Sequence, residues 1–257
     1  MTCKPLVTGQ RYAVAAGHPL AAMAASEIMR SGGNAIDAGV AAGIALRLIF
    51  NVSAWYLTIL VLLVMLIAAG FGALGRLRLR GSGAWLVVVT GIGIVSFTAM
   101  AVMFALVVPV RPWYDPRYFI PIAGMVVGNS MTAAALVLSR FHGELRLRRA
   151  EVESRLALAA DAGRASATAA RSAIRAASIP ILANLATVGM VQLPGMMTGQ
   201  IIAGVEPTEA IRYQIVIMYV LLATVMATAL LCVRLARRLF FTPAHQLRRQ
   251  VFDTTGD

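Results

Sequence analysis

Five stretches of the chain carry no Asp, Glu, Lys or Arg: residues 48–75, 81–110, 118–139, 176–205 and 213–233. Each reaches the roughly 20 residues that a helix rising about 1.5 Å per residue needs to cross a hydrocarbon core of about 30 Å. A single Arg at the centre of such a helix would cost about 2.5 to 3.5 kcal/mol on insertion, so the missing charge is itself a signal. The pattern predicts an all-α fold, a polytopic membrane helical bundle of about five transmembrane helices. Spans are expected over 52–72, 84–108, 118–139, 176–205 and 213–233. They form a membrane domain over 48–233, with a short soluble helical segment (1–47) before it and a basic tail (234–257) after it.

The fourth tract departs from a simple span. Its 30 residues would rise about 45 Å as one helix, and it contains Pro180 and the pair Pro194-Gly195. Proline removes a backbone donor and clashes with the preceding turn, so a break near Pro194 is expected. Backbone freed there needs other helices or a water-filled path around it, because hydrocarbon offers no hydrogen bonds.

Composition agrees with the pattern: 59% of residues are apolar and 13% charged, with a mean hydropathy of +0.78. The net charge of +12 would suit nucleic acid, but the arginines flank apolar spans instead of gathering on one soluble face, so no nucleic-acid partner is expected. Lys4 is the only lysine and no glycine loop precedes it, which excludes a phosphate-cradling P-loop. Cys3 and Cys232 lie near opposite ends and define no disulfide framework.

The basic residues also orient the chain. Arg76, Arg78 and Arg80 fill the first connection, residues 140–175 hold eight arginines against four acids, and the tail holds five against two. The positive-inside rule makes these three regions cytoplasmic, the C-terminus included, and puts residues before Leu48 on the outer side if all five tracts span. No signal peptide is legible in 1–47. Residues 140–175 place Leu145, Val152 and Leu156 at helical spacing among Arg and Glu, which predicts an amphipathic helix or helical pair. Such a segment is either a solvated extension of the third span or a docking surface.

Within the spans, Gly124 with Gly128 and Gly195 with Gly199 form Gly-x-x-x-Gly patterns that let helix backbones approach closely. Asn129, Ser130 and Thr132 in the third span, and Gln192, Thr198 and Gln200 in the fourth, are polar groups at membrane depth. They either line a path for a hydrated cation or small polar solute, or bond between helices. Met196 and Met197 belong to a methionine cluster in the same spans. Thioethers suit soft metals and equally fill gaps between helices; with no His or Cys beside them, packing is the better reading and no metal ligand is assigned. No carboxylate lies in any tract and no Gly-x-Ser-x-Gly elbow occurs, so catalysis by this chain is not expected.

Residues 118–133, Tyr-Phe-Ile-Pro-Ile-Ala-Gly-Met-Val-Val-Gly-Asn-Ser-Met-Thr-Ala, and residues 188–215, with Val-Gln-Leu-Pro-Gly-Met-Met-Thr-Gly-Gln at 191–200, closely resemble the permease subunits of the FetB-like iron-export family. The resemblance runs from about residue 52 to 249. It implies an ABC-type transporter permease of a bacterial inner membrane, working in metal (iron) export as a homo-oligomer, a dimer. The chain itself would bind no cofactor, and ATP would sit on a separate ATP-binding subunit. If the chain is such a permease, the polar and methionine positions Asn129, Thr132, Gln192, Met196, Met197, Thr198 and Gln200 are expected to line its substrate pathway, and the family's ATPase coupling segment is matched by a stretch containing Val152, Glu153, Leu156, Leu158 and Gly163.

Two departures mark this chain. Where the family carries a Gly after the Leu-Ala-Leu run and a Pro three residues later, Ala159 and Ala162 stand here, without the backbone preferences such a turn uses. Ahead of Leu48 the family's first two spans are not recognisable. Instead residues 12–47, including Ala-Gly-His-Pro-Leu-Ala-Ala-Met-Ala-Ala-Ser-Glu, resemble the N-terminal segment of gamma-glutamyltransferases, with short helices expected over 19–30 and 35–46. That family's catalytic Thr has no counterpart, so no transferase activity is implied. A membrane scaffold or assembly subunit whose cytoplasmic helix docks a partner is the alternative to a transporter.

Overall fold

The computed structural model describes residues 7–8, 13–14, 55–75, 82–107, 115–189, 194–242, 244 and 246–248. The helices expected over 19–30 and 35–46 lie outside the described residues, as does Gln192. Two compact units result, Met1–Leu60 with Arg111–Ile120, and Val61–Val110 with Pro121–Asp257.

In the first unit, strands β1 (Val7–Thr8) and β2 (Ala13–Val14) pair antiparallel, Val7 opposite Val14 and Thr8 opposite Ala13. This pairing precedes the stretch in which helices were expected. The same unit holds the opening of helix α1 (Trp55–Gly75), where Trp55 and Tyr56 meet edge to face at 6.2 Å. It also holds the start of α3 (Pro116–Leu147), where the Asp115 carbonyl accepts from the Tyr118 and Phe119 amides.

The second unit contains the rest of α1 and α3. It adds α2 (Ser82–Val102), which continues as a π-helical turn over Met103–Val107, then α4 (Arg149–Ala157), α5 (Ala162–Ala165), α6 (Ala167–Thr187), α7 (Gly195–Ile202) and α8 (Pro207–Phe240). α8 packs against α2, α6 and α7. Small residues make this possible: Ala169, Ala170, Ala173 and Ala177 are buried on α6, and a Cβ on Gly91 of α2 would sit 2.7 Å from Cys232 Sγ of α8. Ser96 of α2, Ser130 of α3 and Thr228 of α8 are fully buried together. The Ser96 and Thr228 hydroxyls donate to Ser130 Oγ at 3.5 and 3.4 Å, so the polar groups of three apolar helices answer one another.

Among the described residues, α1, α2, α3 and α8 are long and apolar enough to cross a bilayer. The difference from five charge-free tracts falls on residues 176–205. There α6 ends at Thr187, and α7 begins only at Gly195, after Pro194 in an extended conformation at φ −62°, ψ 135°. The charge-free part of α6, residues 176–187, rises about 18 Å, short of a hydrocarbon core, and its other half carries Arg171 and Arg175. The interruption expected near Pro194 is thus present, and it divides the tract. The segment over 140–175 is likewise subdivided: α3 runs on through Leu147, a 32-residue helix of about 48 Å, and α4, α5 and the first turns of α6 follow.

Candidate functional site

The amphipathic stretch after α3 folds into a bracket whose corners are each made by local backbone chemistry. α4 closes on Leu158 with Ala159 in the left-handed region at φ 61°. The Ala160 amide donates to the Arg155 carbonyl and the Ala159 amide to that of Leu156, both at 3.0 Å, the paired bonds of a Schellman ending. The turn expected to want a glycine therefore forms with an alanine, which bears the Cβ strain itself. Asp161 then caps α5, its Oδ1 accepting from the Arg164 amide at 2.9 Å.

An ion-pair ring fastens the bracket to the helices on either side. Glu144, near the end of α3, is 6% exposed. Its carboxylate accepts from Arg140, Arg148 and the Ser172 hydroxyl of α6, each at 3.0 Å. Arg148 passes the chain to Glu151 at 3.4 Å, Glu151 to Arg155 at 2.7 Å, and Arg155 donates to Thr168 of α6 at 3.4 Å. Ser172 and Thr168 lie one turn apart, so the ring returns to the helix it left. The hydrogen bond that Arg148 donates to Glu144 raises the pKa of its guanidinium above the ordinary value. Above the ring, Phe141 meets Phe240 of α8 edge to face at 5.8 Å, and His142 stacks on the same ring at 5.7 Å.

The residues expected to couple to an ATPase fall on distinct faces of this bracket. Val152 is buried and anchors α4, while Leu158 at the corner is 84% exposed. Glu153 and Leu156 line a cavity of about 800 Å³ with Ala157, Ala159, Ala160 and Asp161, and its far wall is Ala244, Gln246 and Leu247 from the tail. Gly163 faces α8, where a Cβ would sit 3.8 Å from Arg237 Nη1. The tail is itself folded: Phe241 bridges Leu247, the Thr242 amide donates to the Gln246 carbonyl at 2.8 Å, and the Arg248 amide donates to that of Phe240 at 2.9 Å.

The described pathway candidates are half-buried, and three of them, Asn129, Thr132 and Thr198, bond within their own helices. Asn129 Nδ2 donates to the Met125 carbonyl at 2.7 Å and Thr132 Oγ1 to that of Gly128 at 3.1 Å, both within α3. On α7, Thr198 Oγ1 donates to the Gly195 carbonyl at 3.0 Å; Met196, Met197 and Gln200 are half-buried, and α7 packs against α8. Among the described residues no hydrogen bond joins the α3 set to the α7 set. Of the Gly-x-x-x-Gly positions, Gly124 faces the Met65 side chain, whereas a Cβ at Gly128, Gly195 or Gly199 would meet nothing within 4 Å in the single chain. Close approach is made instead at Gly70, Gly72, Gly83 and Gly91. Glu144, Arg148 and Ser172 were not singled out from the sequence; the available signal was a carboxylate spaced four residues from an arginine on either side.

A family model described as an uncharacterised protein family, UPF0014, matches residues 39–241. A UPF0014 membrane protein of Synechocystis is 35% identical over 86% of this chain and 85% of its own length. The protein ALUMINUM SENSITIVE 3 of Arabidopsis thaliana is 35% identical over 82% and 76% respectively. The probable iron export permease protein FetB of Escherichia coli is 33% identical over 86% and 84%. No solved structure matches the chain. The helices long enough to span a bilayer, the broken fourth tract and these matches all lie within one aligned region, and the chain belongs to the UPF0014 family of membrane proteins.

Proposed function

We propose that this chain is the permease subunit of an ABC-type transporter that exports metal, iron being the first candidate, driven by a separate ATP-binding subunit. The observation that carries the reading is the bracket over residues 148–166. A nearly bare leucine, Leu158, stands at a capped corner, and the helix behind it is tied through Glu144 to the long α3. A solvated extension has no need of a fixed apolar knob, whereas a surface that receives a partner's stroke needs a rigid lever. The relative named as an iron export permease supports the cargo, and the relative named for aluminium sensitivity supports a metal more broadly.

In this reading the arginine-rich bracket and the tail face the cytoplasm, as the charge bias directs. α3, with Asn129 and Thr132, and the interrupted stretch of α6 and α7, with Gln192, Met196, Met197, Thr198 and Gln200, line the route. An interrupted membrane helix leaves carbonyls without helical partners, and those suit a hard cation shedding water. Asn129 and Thr132 bond within their own helix, an observation that favours the scaffold alternative, in which the same bracket docks a partner and nothing crosses. Both readings predict co-purification with a partner subunit. Only transport predicts that metal raises the partner's ATP hydrolysis in proteoliposomes and that Gln200→Ala or Asn129→Ala lowers metal efflux with the fold intact. Unchanged efflux in both variants would sink the route.

A further inference from the structure

The tail beyond α8 reads from the sequence as nothing more than a basic extension, yet its folded part forms one side of a cavity on the bracket. The cavity of about 800 Å³ is walled by α4 and its turn on one side and by Ala244, Gln246 and Leu247 on the other. Its lining is unlike the rest of the chain. In a protein of net charge +12, the lining holds, among the described residues, two carboxylates, Glu153 and Asp161, and no Arg. Arg149 and Arg164 pair with these carboxylates at 2.9 and 3.9 Å without lining the space. Apolar surface from Leu156, Leu247 and the alanines completes it.

We infer that this cavity is a receptor for a cationic side chain with a long apolar stem, an Arg or Lys presented by the ATP-binding subunit, and that the tail hairpin is the second wall of the docking surface. The inference rests on the permease reading above and adds to it a specific occupant and an element outside the α4–α5 segment. The stem of such a residue lies along Leu156 and Leu247, an arrangement that long basic side chains favour, while its charge competes with Arg149 and Arg164 for Glu153 and Asp161. Leu158, beside the mouth, makes the neighbouring apolar contact. Charge complementarity at the cavity then decides which partner docks, and the exposed leucine contributes contact to any partner.

The test uses the full chain co-expressed with the ATP-binding subunit of its transporter and solubilised as a complex. Ala244→Trp fills the cavity from an exposed position, and Gln246→Arg supplies the cation from within; Leu158→Asp probes the knob alone. Both cavity variants are expected to retain about tenfold less subunit than the unaltered chain at equal membrane abundance. Loss with Leu158→Asp alongside full retention in both cavity variants overturns the cavity and leaves the permease reading standing. Full retention in all three overturns the cavity and the docking role of the bracket together. An unaltered chain that holds no ATP-binding subunit overturns the reading on which the inference rests.

Discussion

Ala159 shows how a residue legible as a defect behaves once folded. Its left-handed φ of 61° meets the same two amide bonds a glycine would make, so the turn exists and its strain is localised at one Cβ. Ala159→Gly is therefore expected to stabilise the end of α4 by about 0.5 to 1 kcal/mol, read as a higher thermal midpoint in detergent, although the same substitution mid-helix would destabilise. Glu144 carries the opposite lesson. Composition counts it among four acids set against eight arginines, and only the fold places it under Ser172 and between Arg140 and Arg148. Glu144→Gln keeps an acceptor but loses the charge that holds two guanidinium groups. Trypsin is expected to cleave at Arg148, Arg149 or Arg155 severalfold faster in this variant, while the midpoint of the spans changes little; an unchanged cleavage rate would show that the ring bears no load.

Helices pack where their small residues happen to face, and spacing alone did not say which. Gly124, Gly128, Gly195 and Gly199 carry the familiar motif, yet three of the four look onto open space in the single chain, while Gly91 presses on Cys232. Gly91→Ala is expected to lower stability by about 1 to 3 kcal/mol through overpacking, because Cys232 is fully buried on a helix held on several sides. At Gly128, alanine meets no atom and gains helix propensity, so Gly128→Ala should be neutral or stabilising by up to about 1 kcal/mol. Thermal unfolding of both variants in the same detergent compares them directly. The reverse order would mean that Gly128 is a contact made only between copies of the chain. The fourth tract was legible as broken because Pro194 and its length announced it. That α6 would spend its first half outside any apolar span was not, since Arg171 and Arg175 lie just beyond the charge-free boundary.

For the whole molecule, residence in a bilayer follows from four helices that no soluble core would bury, with Leu63, Val64, Ile67 and Phe71 of α1 each about half exposed or more. The chain is expected to remain in the membrane fraction after a carbonate wash; release into the supernatant would contradict it. The bracket, its ring and the tail hairpin form the polar part of the second unit, and the three are connected through α3 and α8 by the contacts of Phe141, edge to face, and His142, stacked, with Phe240.

Sequence alone determined that the chain is helical, membrane-embedded and interrupted near Pro194, because exclusion of charge from hydrocarbon and the missing donor of proline act locally and need no partner. It also predicted an amphipathic stretch, from the spacing of Leu145, Val152 and Leu156, on which the residues expected to couple to an ATPase lie. Tertiary structure alone decided which glycines are crowded, that Ser130 receives Ser96 and Thr228 from two other helices, and that Glu144 meets Ser172 across 28 positions of sequence. It also brought Leu247 and Leu156 to line one open cavity. Those outcomes depend on how separate helices rotate and cross, and a pattern read along one chain carries no record of which face a distant helix will cover.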